Sequence, residues 1–261
     1  NNLDDAIRYY NLYLEKAPAV NGEANPQNAR YNLGYVYLRK ENYKVAQVYF
    51  EQVTKTVRLN SPNIERDAWM RNADCHFMQK GFTTAQSMYA KAIEYSWPSA
   101  DYAQYQLAMI AGVSKPAEKI SILNSFERKY PSSELVPLVN MEIAGTFLSQ
   151  EKYKEAIPYL NNVVKASGNT GGLKPRAYLR LGIAHYNLDN NKEALANYQK
   201  LVKEFPDAPE TEEALESARA IYVEEGKTSA YVDFLKSAGR NISRNQEDSL
   251  AYSVAENRYA N

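Results

Sequence analysis

Cysteine is all but absent: Cys75 stands alone in 261 residues, which excludes an intrachain disulfide and any cysteine-rich zinc module. Histidine is almost as scarce, with only His76 and His185, and no H-E-x-x-H, C-x-x-C or G-x-S-x-G pattern occurs. Cys75 and His76 are adjacent in a helical stretch and point about 100° apart, so they do not set a base beside a thiol. Net charge is missing as well. Thirty-one Lys+Arg face 31 Asp+Glu, which removes the electrostatic footprint of a nucleic-acid binder or of a protein resting on an anionic membrane. No apolar run approaches the roughly 18 residues that span a bilayer. The inventory implies no catalytic, cofactor or metal site.

What is present is a 44% hydrophobic chain with 22 tyrosines, enough apolar surface for a continuous core. It repeats itself. An alanine recurs in Leu3-Asp4-Asp5-Ala6, Tyr43-Lys44-Val45-Ala46, Phe82-Thr83-Thr84-Ala85, Tyr153-Lys154-Glu155-Ala156 and Lys192-Glu193-Ala194. Four residues later stands a large apolar residue: Tyr10, Phe50, Tyr89, Leu160 or Tyr198. With Ile120 and Ala230 as degenerate members, the steps are 40, 39, 35, 36, 38 and 36 residues. Thirteen residues before the alanine come Leu33-Gly34, Asn72-Ala73, Ile143-Ala144 and Leu181-Gly182, followed by Tyr37, Phe77, Phe147 and Tyr186. Apolar residues within a unit follow the three-and-four spacing of amphipathic helices, as in Leu181, Ala184, His185 and Leu188. His76 and His185 occupy equivalent repeat positions. Ten of the eleven prolines fall between the predicted helices, and Pro158 is expected near a helix start, where its missing N–H is tolerated.

This pattern resembles the tetratricopeptide repeat family over essentially the whole chain, most closely in Tyr178, Leu181-Gly182, Tyr186, Ala194, Tyr198 and Pro206. The resemblance implies an all-α fold, antiparallel helix pairs stacked into a right-handed superhelix with a concave groove. About six to seven repeats are expected in a single solenoid. The approximate units are 1–18 (second helix only), 27–60, 65–98, 100–131, 135–167, 173–206, 210–239 and 246–261 (first helix only). The unit between Leu107 and Pro131 is expected to be distorted. The run Ser167-Gly168-Asn169-Thr170-Gly171-Gly172 lacks the Gly-Lys-Ser/Thr ending of a phosphate loop and reads as an inter-repeat turn. Half-units at both ends lack the polar caps of a solenoid, so a segment of a longer protein is expected.

The groove of such a solenoid is lined by first helices. Counted from the markers Leu33, Asn72, Leu107, Ile143 and Leu181, it takes Tyr31, Asn32 and Tyr35, then Met70, Arg71 and Asp74, then Tyr105, Gln106 and Met109. Met141 and Glu142 follow, then Leu179, Arg180 and Ile183, with Asp67, Tyr102 and Arg176 five residues before their markers. Tyrosine and methionine supply adaptable contact area and arginine pairs with carboxylates in fixed geometry. Tyr31 and Tyr105 are equally compatible with packing between helices. Some family members hold a C-terminal carboxylate between Lys and Asn side chains. Here only Arg176 and Arg180 match that basic pair, which argues against a clamp for chaperone tails.

The expected function is a non-enzymatic scaffold that binds a peptide, helix or protein surface. The alternatives are a self-associating solenoid or a regulatory segment of a protein whose activity lies elsewhere. The joints Lys129-Tyr130-Pro131-Ser132-Ser133 and Phe205-Pro206-Asp207-Ala208-Pro209 resemble those of bacterial envelope tetratricopeptide proteins. Ile221-Tyr222-Val223-Glu224-Glu225-Gly226 with Tyr231 resembles the long multi-repeat proteins of Bacteroides-type bacteria. These resemblances imply a periplasmic or outer-membrane-associated setting; otherwise the protein is cytoplasmic. From Lys165 to Lys203 seven basic residues face two acidic, a balance of +5, and from Glu204 to Glu225 eight acidic face one basic, a balance of −7. These adjacent blocks are expected to attract one another within the solenoid or to attract a second copy.

Overall fold

Wherever apolar residues recur three and four apart the chain is helical, and helices are the only regular elements among the described residues. In the computed structural model these are 2–16, 25–55, 58–168, 170–237, 239, 240, 243, 252 and 255. They fall into two units, Asn1–Ser133 and Glu134–Asn261. The first holds α1 (Asn2–Lys16), α2 (Pro26–Arg39), α3 (Tyr43–Val53), α4 (Asn63–Met78), α5 (Phe82–Glu94), α6 (Ala100–Gly112), α7 (Pro116–Asn124) and α8 (Phe126–Lys129). The second holds α9 (Val136–Leu148), α10 (Tyr153–Lys165), α11 (Leu173–Tyr186), α12 (Asn191–Glu204), α13 (Glu210–Glu224) and α14 (Thr228–Ser237). Most of the predicted first helix 246–261 lies outside the described residues.

Consecutive helices pack as hairpins, and one turn makes them. Glu41, Lys80, Glu151, Asp189 and Gly226 all take positive φ, between 56° and 68°. The next amide closes a six-to-one bond onto the helix just ended: Asn42 to Tyr37, Gly81 to His76, Lys152 to Phe147, Asn190 to His185 and Lys227 to Tyr222, at 2.8–3.0 Å. This is the Schellman geometry that satisfies terminal carbonyls. The α6–α7 turn departs from it: Lys115 closes onto Ala111 instead, and no residue there takes positive φ. The second helix of that hairpin also breaks at Ser125 into α7 and α8. The distortion falls where the repeat pattern degenerates.

The recurring alanines and their large followers are the hairpin cores. Ala46, Ala85, Ala156 and Ala194 are buried, with Phe50, Tyr89, Leu160 and Tyr198. Two glycines make room for rings. A Cβ on Gly34 would stand 2.6 Å from the Phe50 ring, and one on Gly182 2.2 Å from the Tyr198 ring.

Prolines correct the sequence reading in two ways. Pro26, Pro116, Pro137 and Pro175 sit in the first turns of α2, α7, α9 and α11 rather than between helices, where the first amides have no intrahelical partner anyway. Pro158 is not near the start of α10 but inside it, a position that forfeits one backbone bond.

Candidate functional site

In the first unit, the exposed side of first helices α2, α4 and α6 carries one connected set of polar side chains. Tyr31 and Tyr35, a turn apart on α2, both donate to Asp67 Oδ2 on α4, Tyr31 at 2.8 Å. Their rings meet edge to face, 5.0 Å between centroids. Three and four residues are the spacings that stack side chains along one helix face, and α4 repeats them: Arg71 lies 3.4 Å from Asp67 and also pairs with Asp74. Asp74 Oδ1 then accepts from Tyr89 of α5 at 2.6 Å and from Tyr102 of α6 at 2.9 Å. Gln106, a turn beyond Tyr102, donates to its hydroxyl at 2.6 Å, and the Arg71 guanidinium lies 5.2 Å from the Tyr102 ring centre.

Burial sets the protonation of this network. It pushes the tyrosines upward, with help from the adjacent aspartates, and Tyr102 reaches about 12. Burial disfavours the Arg71 charge, but Asp74 and Asp67 outweigh it and hold the guanidinium charged. Burial also raises Asp74 against the pull of Arg71, Tyr89 and Tyr102. The result is a fixed polar surface with its phenols protonated. Cys75 is no nucleophile: it is buried, and burial followed by Asp74 pushes its thiol up to about 12.

The structure brings together Tyr31, Tyr35, Asp67, Arg71, Asp74, Tyr102 and Gln106, and leaves Tyr105 and Met109 half-buried on the same helix as Tyr102. Met70 is a correction. It is fully covered, in the cluster of Met88, Tyr89 and Ala103. Met141 and Leu179, also two before their markers, are buried likewise, whereas Tyr31 and Tyr105 at that position stay half-buried. The positions five before, one before and two after carry a row that grows more covered along α4, from half-buried Asp67 and Arg71 to Asp74, a predicted groove residue that is buried. Tyr89 was missed because its place after Ala85 reads as core, and its hydroxyl is no distinguishing signal, since Tyr10 and Tyr198 carry one at the same place.

In the second unit, Arg176 and Arg180 do not act as a pair. Arg176 Nε bonds Glu210 Oε1 at 2.9 Å, which joins the basic block to the acidic one. Arg180 reaches the Met141 sulfur at 3.2 Å, over Gly145, whose missing side chain leaves the space. Gly168, Gly171 and Gly172, all at positive φ, carry the chain from α10 to α11. Among the described residues no three His, Cys, Asp or Glu side chains could hold a metal ion, and no helix is long and apolar enough to cross a membrane.

Tetratricopeptide repeat models match residues 142–209 and 27–56. Among solved structures, the C-terminal part of a repeat-containing protein from Cytophaga hutchinsonii is similar, with a TM-score of 0.66 at 17% identity over 95% of each chain. A tetratricopeptide repeat protein from Parabacteroides merdae reaches 0.56 at 13% identity, covering 97% of this chain and 92% of its own. PilF of Pseudomonas aeruginosa also reaches 0.56, at 17% identity over 81% of this chain and 88% of its own. No curated protein matches. At these identities the structural likeness is one of fold. The chain carries tetratricopeptide repeats at residues 27–56 and 142–209, and the same hairpin turn recurs between and beyond them.

Proposed function

We propose that the protein is a non-enzymatic interaction scaffold that takes a peptide, helix or protein surface along the exposed face of its first helices. The observation that carries this reading is the network from Tyr31 to Gln106. Its polar groups hold one another in place, so a partner meets aromatic rings and hydrogen-bonding atoms whose ordering cost is already met. Tyr105 and Met109 extend the surface along α6, and Arg176 and Arg180 on α11 are separate candidate contacts of the second unit. Tyr31→Ala with Tyr105→Ala, and Arg176→Glu with Arg180→Glu, are expected to weaken partner capture while circular dichroism keeps its helical signal. Unchanged capture by both double variants rejects the surface.

A second reading is self-association through α1, which buries none of its residues and exposes Tyr9 and Leu12. Light scattering across concentration tests it, and a monomer throughout rejects it. The envelope setting rests on the Tyr130-Pro131 and Phe205-Pro206 joints. Fractionating cells that make the native protein tests it, and recovery in the cytoplasm alone overturns it.

A further inference from the structure

We infer that the α2–α4–α6 face of the first unit selects a partner segment by a cationic side chain, arginine or lysine, seated against Asp67 and the phenol oxygens of Tyr31 and Tyr35. The inference rests on the reading of this face as the binding surface and adds the chemistry of what binds.

Within the network Arg71 is the one cation, and it is already engaged. Arg71 lies between Asp67 and Asp74, so the fixed charges of the network leave one negative charge uncompensated. Apart from the buried Arg71 Nε, which has an ion-pair contact but no hydrogen bond, the donors are engaged too. Tyr31 and Tyr35 aim their O–H groups at Asp67, Tyr89 and Tyr102 aim theirs at Asp74, and the Gln106 amide donates to Tyr102. A phenol that donates inward still accepts from outside, and a carboxylate offers about four acceptor positions. What the network turns outward is therefore a row of acceptors: Asp67, the Tyr31 and Tyr35 oxygens and the Gln106 carbonyl.

Access singles out Asp67. Its side chain is 35% exposed against 22% for Arg71 and 12% for Asp74, so an incoming group reaches Asp67 without disturbing the network. An arriving carboxylate meets that charge first and is repelled. An arriving guanidinium or ammonium gains charge-assisted hydrogen bonds and the ring faces of the two tyrosines. Arg39, a turn beyond Tyr35, lines a cleft toward α1 with Asn32 and Tyr35, a cleft that does not include Asp67. The polarity is thus opposite to that of a carboxylate clamp.

The test is fluorescence anisotropy of the full chain with short labelled Gly/Ser peptides that carry arginine, glutamate or glutamine. The arginine peptide is expected to bind about tenfold more tightly than the glutamate peptide, and less tightly as salt rises. Asp67→Asn should cost about tenfold, the scale of one charge-assisted hydrogen bond. Tyr31→Phe and Tyr35→Phe, which keep the rings, should each cost a smaller factor with unchanged helicity. Absence of arginine-peptide binding, or binding that Asp67→Asn leaves unaltered, overturns the inference. A glutamate or glutamine preference that Tyr105→Ala still abolishes overturns it too, while leaving the face itself as a binding surface.

Discussion

Gly182 sets how closely α11 approaches α12. A methyl group there would lie 2.2 Å from the Tyr198 ring, which is itself buried and cannot swing away. Gly182→Ala should therefore destabilise the protein by about 1–3 kcal/mol despite alanine's better helix propensity, measured by urea unfolding. Tyr198→Leu in the same chain should recover much of that loss. The buried hydroxyls and thiol give a second residue-level prediction, on pH. Tyr102 and Tyr198 lie at about 12 in the folded chain against 10.0 unperturbed, and Cys75 at about 12 against 9.0, all chiefly through burial. Between pH 9 and 12 the unfolded chain releases protons that the folded chain keeps, so stability falls as pH rises through that window. Tyr102→Phe with Tyr198→Phe should flatten the fall, and a urea midpoint constant from pH 9 to 11 would show these groups to be unperturbed.

The hairpin turn is the element that repeats most faithfully, and three of its left-handed positions carry Glu41, Lys80 and Glu151. A side chain with a Cβ is strained there, whereas Gly226 at the equivalent place is not. Lys80→Gly should accordingly raise stability by about 0.5–1 kcal/mol, and Val113→Gly, in the turn that lacks the geometry, should lower it. Calorimetry on the two variants separates the cases. The helices were legible in the sequence because a small residue and a large one recur at fixed offsets. The left-handed turn was not, because Glu, Lys and Asp carry no mark of positive φ. The candidate surface was legible only in part: helical spacing placed Asp67, Arg71 and Asp74 on one face. That Met70 turns inward and Tyr89 reaches out from a second helix depends on how neighbouring helices pack, which spacing within one helix does not encode.

Over the whole chain, the neutral total resolves into local pairings. The +5 and −7 blocks meet in the Arg176–Glu210 ion pair, and on the first unit two aspartates close around one arginine. Under the proposed function, recognition takes place by contact at the first-helix faces. Site-specific photo-cross-linking tests this most directly, with the reactive group placed in turn at Gln106 on α6 and at exposed Lys154 and Glu193 on α10 and α12. The account predicts a discrete adduct with the native partner from Gln106 and none from Lys154 or Glu193. Adducts from the second-helix positions with Gln106 silent would contradict it.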